Sequence, residues 1–287
     1  MAAKVITSER RALGSVLDSI NIGADITSDL IGMIQRALWQ SGVLVIHGQK
    51  LEAEQLDRLG RAFGRMEPHS ILHYRHPEFP ELSYISNVDK DGKIDTFAHY
   101  KRAVDWHTDG SFKDRPDTEA FLYSLKAPTV GGATCFTDMR LAYDTLSPER
   151  RDRIAGLKAF HKRGEGWRTV SGPPPLTEEQ KRSGAFAGAA HPVVITHPHT
   201  KRRSLYINPG HTSHIVGFSK TDSDALLDEL YEHSIAPEFQ YHHNWRPGDI
   251  VFWDQRSVMH KAGGGVPTDQ QRIMIRGMMT GELYASA

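Results

Sequence analysis

The fold of this chain has to bring together two metal-binding sequences that lie far apart. After Trp106 come His107 and Asp109, which are two positions apart from each other. In an extended strand their imidazole and carboxylate therefore point to the same side. His260 comes much later, after the strand-like apolar run 249–254 and a short turn. Two imidazoles and one carboxylate leave the opposite positions of a metal open, which is typical of non-haem Fe(II) sites that use oxygen. The His-x-Asp pair alone is common by chance and equally fits a polar surface strand.

A second strand-like pattern follows His260 and carries two arginines. Apolar residues at 273 and 275 alternate with Arg272 and Arg276, and this period of two predicts a strand with both arginines on one face. An arginine fork can hold a carboxylate through two parallel hydrogen bonds. Either arginine alone equally fits a solvated strand or a structural ion pair. Together with the His-Asp-His triad, they indicate a dicarboxylate cosubstrate that chelates iron.

Four stretches, in this order and spacing, resemble the Fe(II)/2-oxoglutarate-dependent dioxygenases of the taurine dioxygenase and chlorophenoxyacetate dioxygenase group. The resemblance runs from about residue 40 to residue 280 and is carried by Trp106–Phe112, Gly131–Met139, Trp245–His260 and Gln271–Arg276. Two departures are visible. Gln255 stands where the family usually has asparagine, and the loop between His260 and Arg272 is one residue longer than in the taurine enzyme. Neither departure is expected to touch a ligand.

The resemblance implies a role for each matching residue. His107, Asp109 and His260 would bind Fe(II), while Arg272 would pair with the distal carboxylate of 2-oxoglutarate. Thr134 would hydrogen-bond that cosubstrate, and Arg276 would lie near its iron-chelating end and anchor an anionic group of the substrate.

The implied reaction uses O2 and converts 2-oxoglutarate to succinate and CO2. It is coupled to hydroxylation of a C–H bond, with or without later cleavage of a C–O, C–N or C–S bond. Related halogenases lack the carboxylate ligand. Because Asp109 is present here, an oxygen-derived outcome is expected rather than halogenation.

Substrate contacts are expected in two irregular segments, at about 66–104 and 163–190, which we interpret as lid or insert segments over the mouth of the fold. The candidates are His69, Asn87, His99 and Tyr100, with Arg276 deeper; for each, a solvated or structurally bonded side chain is the alternative. A basic anchor with aromatic walls favours a small organic anion. The alternative is a hydroxylase or desaturase of an amino acid or natural-product intermediate.

Two other classes of protein remain open from the residues alone. A non-catalytic jelly-roll binding protein could keep the fold, but it has no need of the triad and both arginines. A zinc hydrolase could use two histidines and a carboxylate. It would give no reason for Arg272 and Thr134, and the sequence has no H-E-x-x-H motif to supply a general base.

Composition narrows the class of protein further. At 287 residues, one domain over 1–287 is expected. Lys plus Arg and Asp plus Glu both total 35, so no global charge favours nucleic acid or a membrane as partner. The single Cys135 excludes an internal disulfide, and the N-terminal residues contain no apolar signal segment, so a cytoplasmic location is expected. A small-molecule substrate is the expected partner, and a homo-oligomer is left open.

The patterning predicts mainly β structure with flanking helices, as in a jelly roll or double-stranded β-helix of the cupin type. Helices are predicted from a Thr27–Ser28 cap to about Trp39, over 52–63 and 222–234, and over 141–156 with a break at Ser147–Pro148. Strands are predicted at 43–46, 82–87, 193–195 and 204–207. Runs 121–125 and 133–136 flank a Pro/Gly turn and predict a hairpin.

Overall fold

Short strands make up most of the regular structure, and helices lie around them. The computed structural model describes residues 4–8, 11–24, 26–69, 72–89, 91–94, 104–168, 176–182, 186–281 and 285–286. The strands are β1 (Lys4–Ser8), β2 (Arg11–Asp18), β3 (Val43–Ile46), β4 (Arg65–Met66), β5 (Ser83–Ser86), β6 (Glu119–Lys126), β7 (Thr134–Asp138), β8 (Lys158–His161), β9 (Ala189–Pro192), β10 (Val194–Thr196), β11 (Arg203–Leu205), β12 (Thr212–Ile215), β13 (Gln240–His243), β14 (Ile250–Asp254), β15 (Val258–Ala262), β16 (Ile273–Thr280) and β17 (Ala285–Ser286). The helices are α1 (Ser28–Ser41), α2 (Ala53–Phe63), α3 (Met139–Asp144), α4 (Pro148–Ile154), α5 (Glu178–Arg182) and α6 (Lys220–Ser234).

The largest sheet has the strand order β1-β2-β3-β14-β6-β16-β4, and β5 also pairs with β16. Its central strands are buried on both faces. In β3, Val43 and Val45 join one core cluster while Leu44 and Ile46 join another, as the two-residue period of a strand requires. Helices α1 and α2 pack against the second of these faces. The predicted strand at 43–46 is therefore confirmed, with apolar packing on both sides.

The predicted start of α1 is also confirmed. Thr27 is the N-cap, and its Oγ1 accepts a hydrogen bond from the Leu30 amide at 3.2 Å. The helix ends at Gly42, whose φ of 73° is easily adopted only by glycine. The break predicted near Ser147 separates α3 from α4, and Ser147 caps the second helix.

The other face of the largest sheet packs on a three-stranded sheet of order β13-β7-β15. Phe136 of β7 and Val258 of β15 meet residues of β3, β6, β14 and β16 in one apolar core. These two facing sheets form the jelly roll that the sequence predicts. Two further three-stranded sheets, β12-β8-β9 and β11-β10-β17, extend the structure, and α3 and α6 contribute to a separate core beside them.

The predicted hairpin at 121–136 is wrong. Strand β6 pairs with β14 and β16, whereas β7 pairs with β13 and β15, so the chain crosses from one sheet to the facing one. Gly131 and Gly132 adopt positive φ values of 69° and 66° at this crossing. A Cβ on Gly131 would lie 2.0 Å from the Gly265 carbonyl oxygen, so a larger residue does not fit.

Part of the predicted lid segment 66–104 belongs to the scaffold. Strand β5 pairs antiparallel with β16, from Ser83 opposite Arg276 to Ser86 opposite Ile273. It therefore supports the arginine strand from the side opposite β6. In the part of the chain that the structure describes, none of the helices combines the length and the apolar character needed to span a bilayer.

Candidate metal centre and cosubstrate pocket

Backbone pairing explains why the two histidines lie together. His107 and His260 form an isolated antiparallel bridge in which each amide donates to the other's carbonyl, at 3.0 and 2.9 Å. Directly opposed residues of an antiparallel pair present their side chains on the same face. The imidazole centroids are accordingly 4.2 Å apart. Asp109, two residues after His107, falls on that face as well, and the ligand atoms of all three residues lie within 4.8 Å of one another.

The protonation states suit metal binding. Burial and the neighbouring His260 imidazole lower the pKa of His107 to about 3, which favours the neutral ligand form. His107 Nδ1 lies 2.8 Å from the Asp105 carbonyl oxygen, so Nδ1 carries the proton and Nε2 keeps its lone pair for a metal. Burial alone would raise the pKa of Asp109, but Arg276 and His260 hold it well below its usual range.

The donor set therefore fits a divalent iron. Two imidazole nitrogens and one carboxylate oxygen are the ligands of the facial triad, and they leave positions for other ligands. His107 Nε2 lies 3.8 Å and His260 Nε2 lies 3.5 Å from the Asp109 carboxylate. Trp253 packs against the His260 ring, with centroids 4.9 Å apart, and fixes its orientation.

Arg272 is a half-buried cation whose surroundings suit an anionic ligand. Its Nε donates to the Gly132 carbonyl at 2.9 Å, and a terminal nitrogen lies 3.4 Å from Thr134 Oγ1. Burial lowers the pKa of Arg272 to about 10, so the guanidinium is still charged at neutral pH. Among the described residues no carboxylate forms a salt bridge with it. A buried charge without a counter-ion is costly, and an anionic ligand would compensate it.

Thr134 and Trp245 complete this pocket. The Trp245 indole donates to Thr134 Oγ1 at 3.0 Å, and the Arg272 guanidinium lies over the indole ring, 5.9 Å from its centroid. The hydroxyl thus accepts from two donors, and its own proton remains to be donated to a ligand. Sequence reasoning identified Thr134 and missed Trp245, although Trp245 opens the stretch that carries the family resemblance to the distal histidine.

Arg276 reaches the metal centre rather than the Arg272 pocket. One terminal nitrogen lies 3.7 Å from Asp109 Oδ2. Both arginines point to the same side of the strand, as predicted. Arg272, just before β16, reaches Thr134, and Arg276, within β16, reaches Asp109. The structure therefore groups Arg276 with the triad, and Arg272 with Thr134.

The remaining sequence-predicted residues fall in different places. The Asn87 side chain donates to the Gln270 carbonyl at 2.8 Å and accepts from the Arg272 amide at 2.7 Å, so it supports the arginine strand. The His69 backbone carbonyl accepts from Arg75 at 2.7 Å, and the His69 imidazole packs edge-on against Tyr74. His99 and Tyr100 lie outside the described residues.

Sequence reasoning missed two parts of the site. The expectation that Gln255 touches no ligand residue is wrong, because its side chain hydrogen-bonds Asp109. An aromatic wall also lies beside the triad. His211 packs edge-on against His107 at 6.3 Å and against Phe112 at 5.1 Å, and Phe112 stacks with Phe186. Phe112 was visible beside the metal motif, whereas His211 carries no local sequence signal.

Known proteins resemble this chain in both sequence and structure. Pentalenolactone F synthase from Streptomyces arenae is 32% identical over 279 residues, covering 91% of this chain and 91% of that protein. Alpha-ketoglutarate-dependent 2,4-dichlorophenoxyacetate dioxygenase from Burkholderia sp. (strain RASC) is 34% identical over 237 residues, covering 79% and 78%. The solved structure of AAD-2 in complex with Mn(II) and N-oxalylglycine matches with a TM-score of 0.84 at 28% identity, covering 100% of this chain and 99% of that one.

These relatives leave no support for a zinc hydrolase or a non-catalytic binding protein. The family model described as "Taurine catabolism dioxygenase TauD, TfdA family" matches residues 10–279. The chain belongs to this family of 2-oxoglutarate-dependent non-haem iron dioxygenases.

Proposed function

We propose that His107, Asp109 and His260 hold the Fe(II) of this dioxygenase. The observation that carries the proposal is the approach of their three ligand atoms to within 4.8 Å on one face of a two-stranded bridge. When bound, Fe(II) supplies coordination of a 2-oxo acid and reaction with O2. The protein's part is to keep His107 neutral by burial, to fix its tautomer through the Asp105 carbonyl, and to keep Asp109 ionised beside Arg276.

Arg272 and Thr134 are proposed to bind the distal carboxylate of 2-oxoglutarate. The guanidinium is half-buried and charged, and the Thr134 hydroxyl has a proton left to donate. Both groups are also held in place, because Gly132 and Trp245 hydrogen-bond them. Mn(II) and N-oxalylglycine, bound in the structural relative, are surrogates for the metal and the cosubstrate, and their presence there supports this assignment.

An anaerobic titration of the apo protein with Fe(II) and 2-oxoglutarate tests this function first. A visible charge-transfer band of the chelated 2-oxo acid is the expected result. Titration with Fe(II) alone and with glutarate, which lacks the 2-oxo group, provides the controls. If folded protein binds Fe(II) but gives no band on adding 2-oxoglutarate, the cosubstrate assignment is wrong; if it does not bind Fe(II), the metal assignment is wrong.

The substrate class we propose is a small organic anion with an apolar or aromatic body. Arg276 supplies positive charge at the metal centre, while Phe112, Phe186 and His211 form an aromatic wall beside His107. Burial lowers the pKa of His211 to about 4, so this wall is neutral near pH 7. The 2,4-dichlorophenoxyacetate named in one relative is an anion of this kind.

Replacing Arg276 by Ala is expected to lower kcat/KM for anionic substrates more than for their neutral amides or esters. The expected loss for the anion is about 30-fold, as for a charge pair worth about 2 kcal/mol. Succinate formation with matched acid and amide substrates measures the difference. Arg276→Lys is the control that keeps the charge. Equal losses for acid and amide would show that Arg276 acts on Asp109 alone.

A natural-product intermediate is the second candidate substrate, because the relative named for pentalenolactone F matches 91% of the chain. One probe of each class distinguishes them. An aryloxyalkanoate and a neutral lactone can be added in turn to the Fe(II)–2-oxoglutarate complex. The substrate class that perturbs the charge-transfer band at the lower concentration is the better candidate.

We also propose that the chain is one dioxygenase domain whose segment 163–190 covers the mouth of the site. The Gly164 amide donates to His211 Nδ1 at 3.1 Å, and Phe186 stacks on Phe112. Trp167 ties the start of the segment to α6 through a 2.7 Å hydrogen bond to Asp228. These contacts bring both described ends of the segment to the site.

A further inference from the structure

Gln255 contributes a buried amide to the metal centre. It lies in the turn between β14 and β15, and only 1% of its surface is exposed. Its Oε1 accepts from the backbone N–H of Asp109 at 3.3 Å, and its Nε2 donates to Asp109 Oδ2 at 3.3 Å. If the Gln255 side-chain amide were flipped, its NH2 group would face the backbone N–H of Asp109 and its oxygen would face the Asp109 carboxylate. Neither pair could form a hydrogen bond. The chemistry of Asp109 therefore determines which end of the amide faces which atom.

We infer that Gln255 is a positioning residue that holds Asp109 Oδ2 and thereby fixes the rotation of the Asp109 carboxylate at the metal centre. This inference rests on the proposed function of the triad. Two donors converge on Oδ2, namely Gln255 Nε2 and, at 3.7 Å, the Arg276 guanidinium. Oδ1 lies 3.8 Å from His107 Nε2 and Oδ2 lies 3.5 Å from His260 Nε2, so the rotation of the carboxylate sets how each oxygen faces the ligand nitrogens.

The turn that carries Gln255 is itself fixed. Asp254 is fully buried, and its carboxylate binds Ser257 Oγ at 2.7 Å, Arg256 Nε at 2.8 Å and His197 Nε2 at 2.9 Å. The backbone N–H of Gln255 in turn donates to the Thr118 carbonyl at 2.9 Å. A side chain anchored on such a turn has little freedom, so its two hydrogen bonds can determine the rotation of a neighbouring carboxylate.

The physical reason for such a group is the shape of a carboxylate. Its two oxygens are equivalent, and without an orienting partner it can rotate or offer both oxygens to one metal. Rotation would change the metal–oxygen geometry, and binding through both oxygens would take up a position that O2 needs. Hydrogen-bond partners of metal ligands commonly change metal affinity or activity about 10–100-fold.

The test is a titration of the full-length apo protein with Mn(II), followed by electron paramagnetic resonance of free and bound metal. Gln255→Met keeps the length of the side chain and removes both hydrogen bonds. We expect its Mn(II) affinity to fall about 10–100-fold, with a changed spectrum of the bound ion. Gln255→Leu is the second variant should the first fold poorly. At saturating Fe(II), the affinity for 2-oxoglutarate should stay near that of the unchanged protein, because Arg272 and Thr134 are untouched.

Ser257→Ala is the matched control. It removes a hydrogen bond to Asp254 in the same turn and leaves both hydrogen bonds between Gln255 and Asp109 in place. We expect it to lower the thermal midpoint without a comparable loss of Mn(II) affinity. Wild-type affinity and spectrum in a folded Gln255 variant would overturn the inference, and so would equal losses of affinity in the two variants. Failure of the unchanged protein to bind Mn(II) would instead count against the proposed function.

Discussion

Replacing His107 or Asp109 by Ala should abolish succinate formation from 2-oxoglutarate while the protein stays folded. Each residue supplies one of three clustered ligand atoms, and both side chains face the site rather than a core. Loss of a partner that only orients a ligand costs about 10–100-fold, so loss of a ligand should cost at least ~100-fold. Succinate release per enzyme, with circular dichroism and a thermal midpoint for each variant, measures this.

Thr108→Val is the control for these two variants. Thr108 lies between the ligands, is buried, and has its hydroxyl 3.5 Å from the Val258 carbonyl, so it belongs to the same strand segment without facing the metal. Substantial activity in Thr108→Val and none in the ligand variants is the expected pattern. Persistent turnover in both the His107 and Asp109 variants would remove the metal assignment.

Replacing Arg272 by Ala should weaken binding of 2-oxoglutarate about 100-fold, or about 3 kcal/mol, with little effect on the KM of the substrate. Truncating one partner of a buried, hydrogen-bonded charge pair costs about 2–5 kcal/mol. The apo protein should lose little stability, because the variant also removes a half-buried cation that has no carboxylate partner among the described residues. Charge-transfer titration at fixed Fe(II) gives the affinity directly.

Arg272→Lys separates charge from shape. A lysine keeps the positive charge but cannot form two parallel hydrogen bonds, so an intermediate affinity is expected. Glutarate, which has the distal carboxylate without the 2-oxo group, should compete with 2-oxoglutarate in the unchanged protein and lose this ability in Arg272→Ala. Equal changes in the 2-oxoglutarate and substrate requirements would contradict the assigned role.

Local patterns predicted the elements that depend on near neighbours. The cap at Thr27 and the buried run Val43–Ile46 are short-range signals, and the structure confirms both. The pairing of strands is a long-range property. Two strands joined by a Pro/Gly turn usually form a hairpin, but here Gly131 and Gly132 carry the chain into the facing sheet. The jelly-roll class was predictable from many short strands and the family resemblance, whereas its strand order was not.

The same division holds in the candidate site. Residues in characteristic patterns, such as His107-x-Asp109 and the alternating arginines, were visible in the sequence. Gln255 was not, because the direction of a side chain in a tight turn follows from the buried Asp254 cluster beneath it. For Asn87 the sequence suggested a substrate contact, which stays a prediction. The structure adds a supporting role that the sequence did not show, because the Asn87 side-chain amide hydrogen-bonds the backbone on both sides of Gln271.

Strand β16 has a consequence for the order in which the protein becomes competent during its synthesis. All three triad residues have been made by residue 260, but Arg272 and Arg276 follow them, and β16 fills the place between β6 and its neighbours β5 and β4. Domains generally fold as units once their sequence is available. A nascent chain that ends before Arg272 thus has all three residues proposed to bind iron but neither the arginines nor a closed sheet. On the assignments proposed above, the cosubstrate pocket is therefore completed only when the last strand of the main sheet has been added.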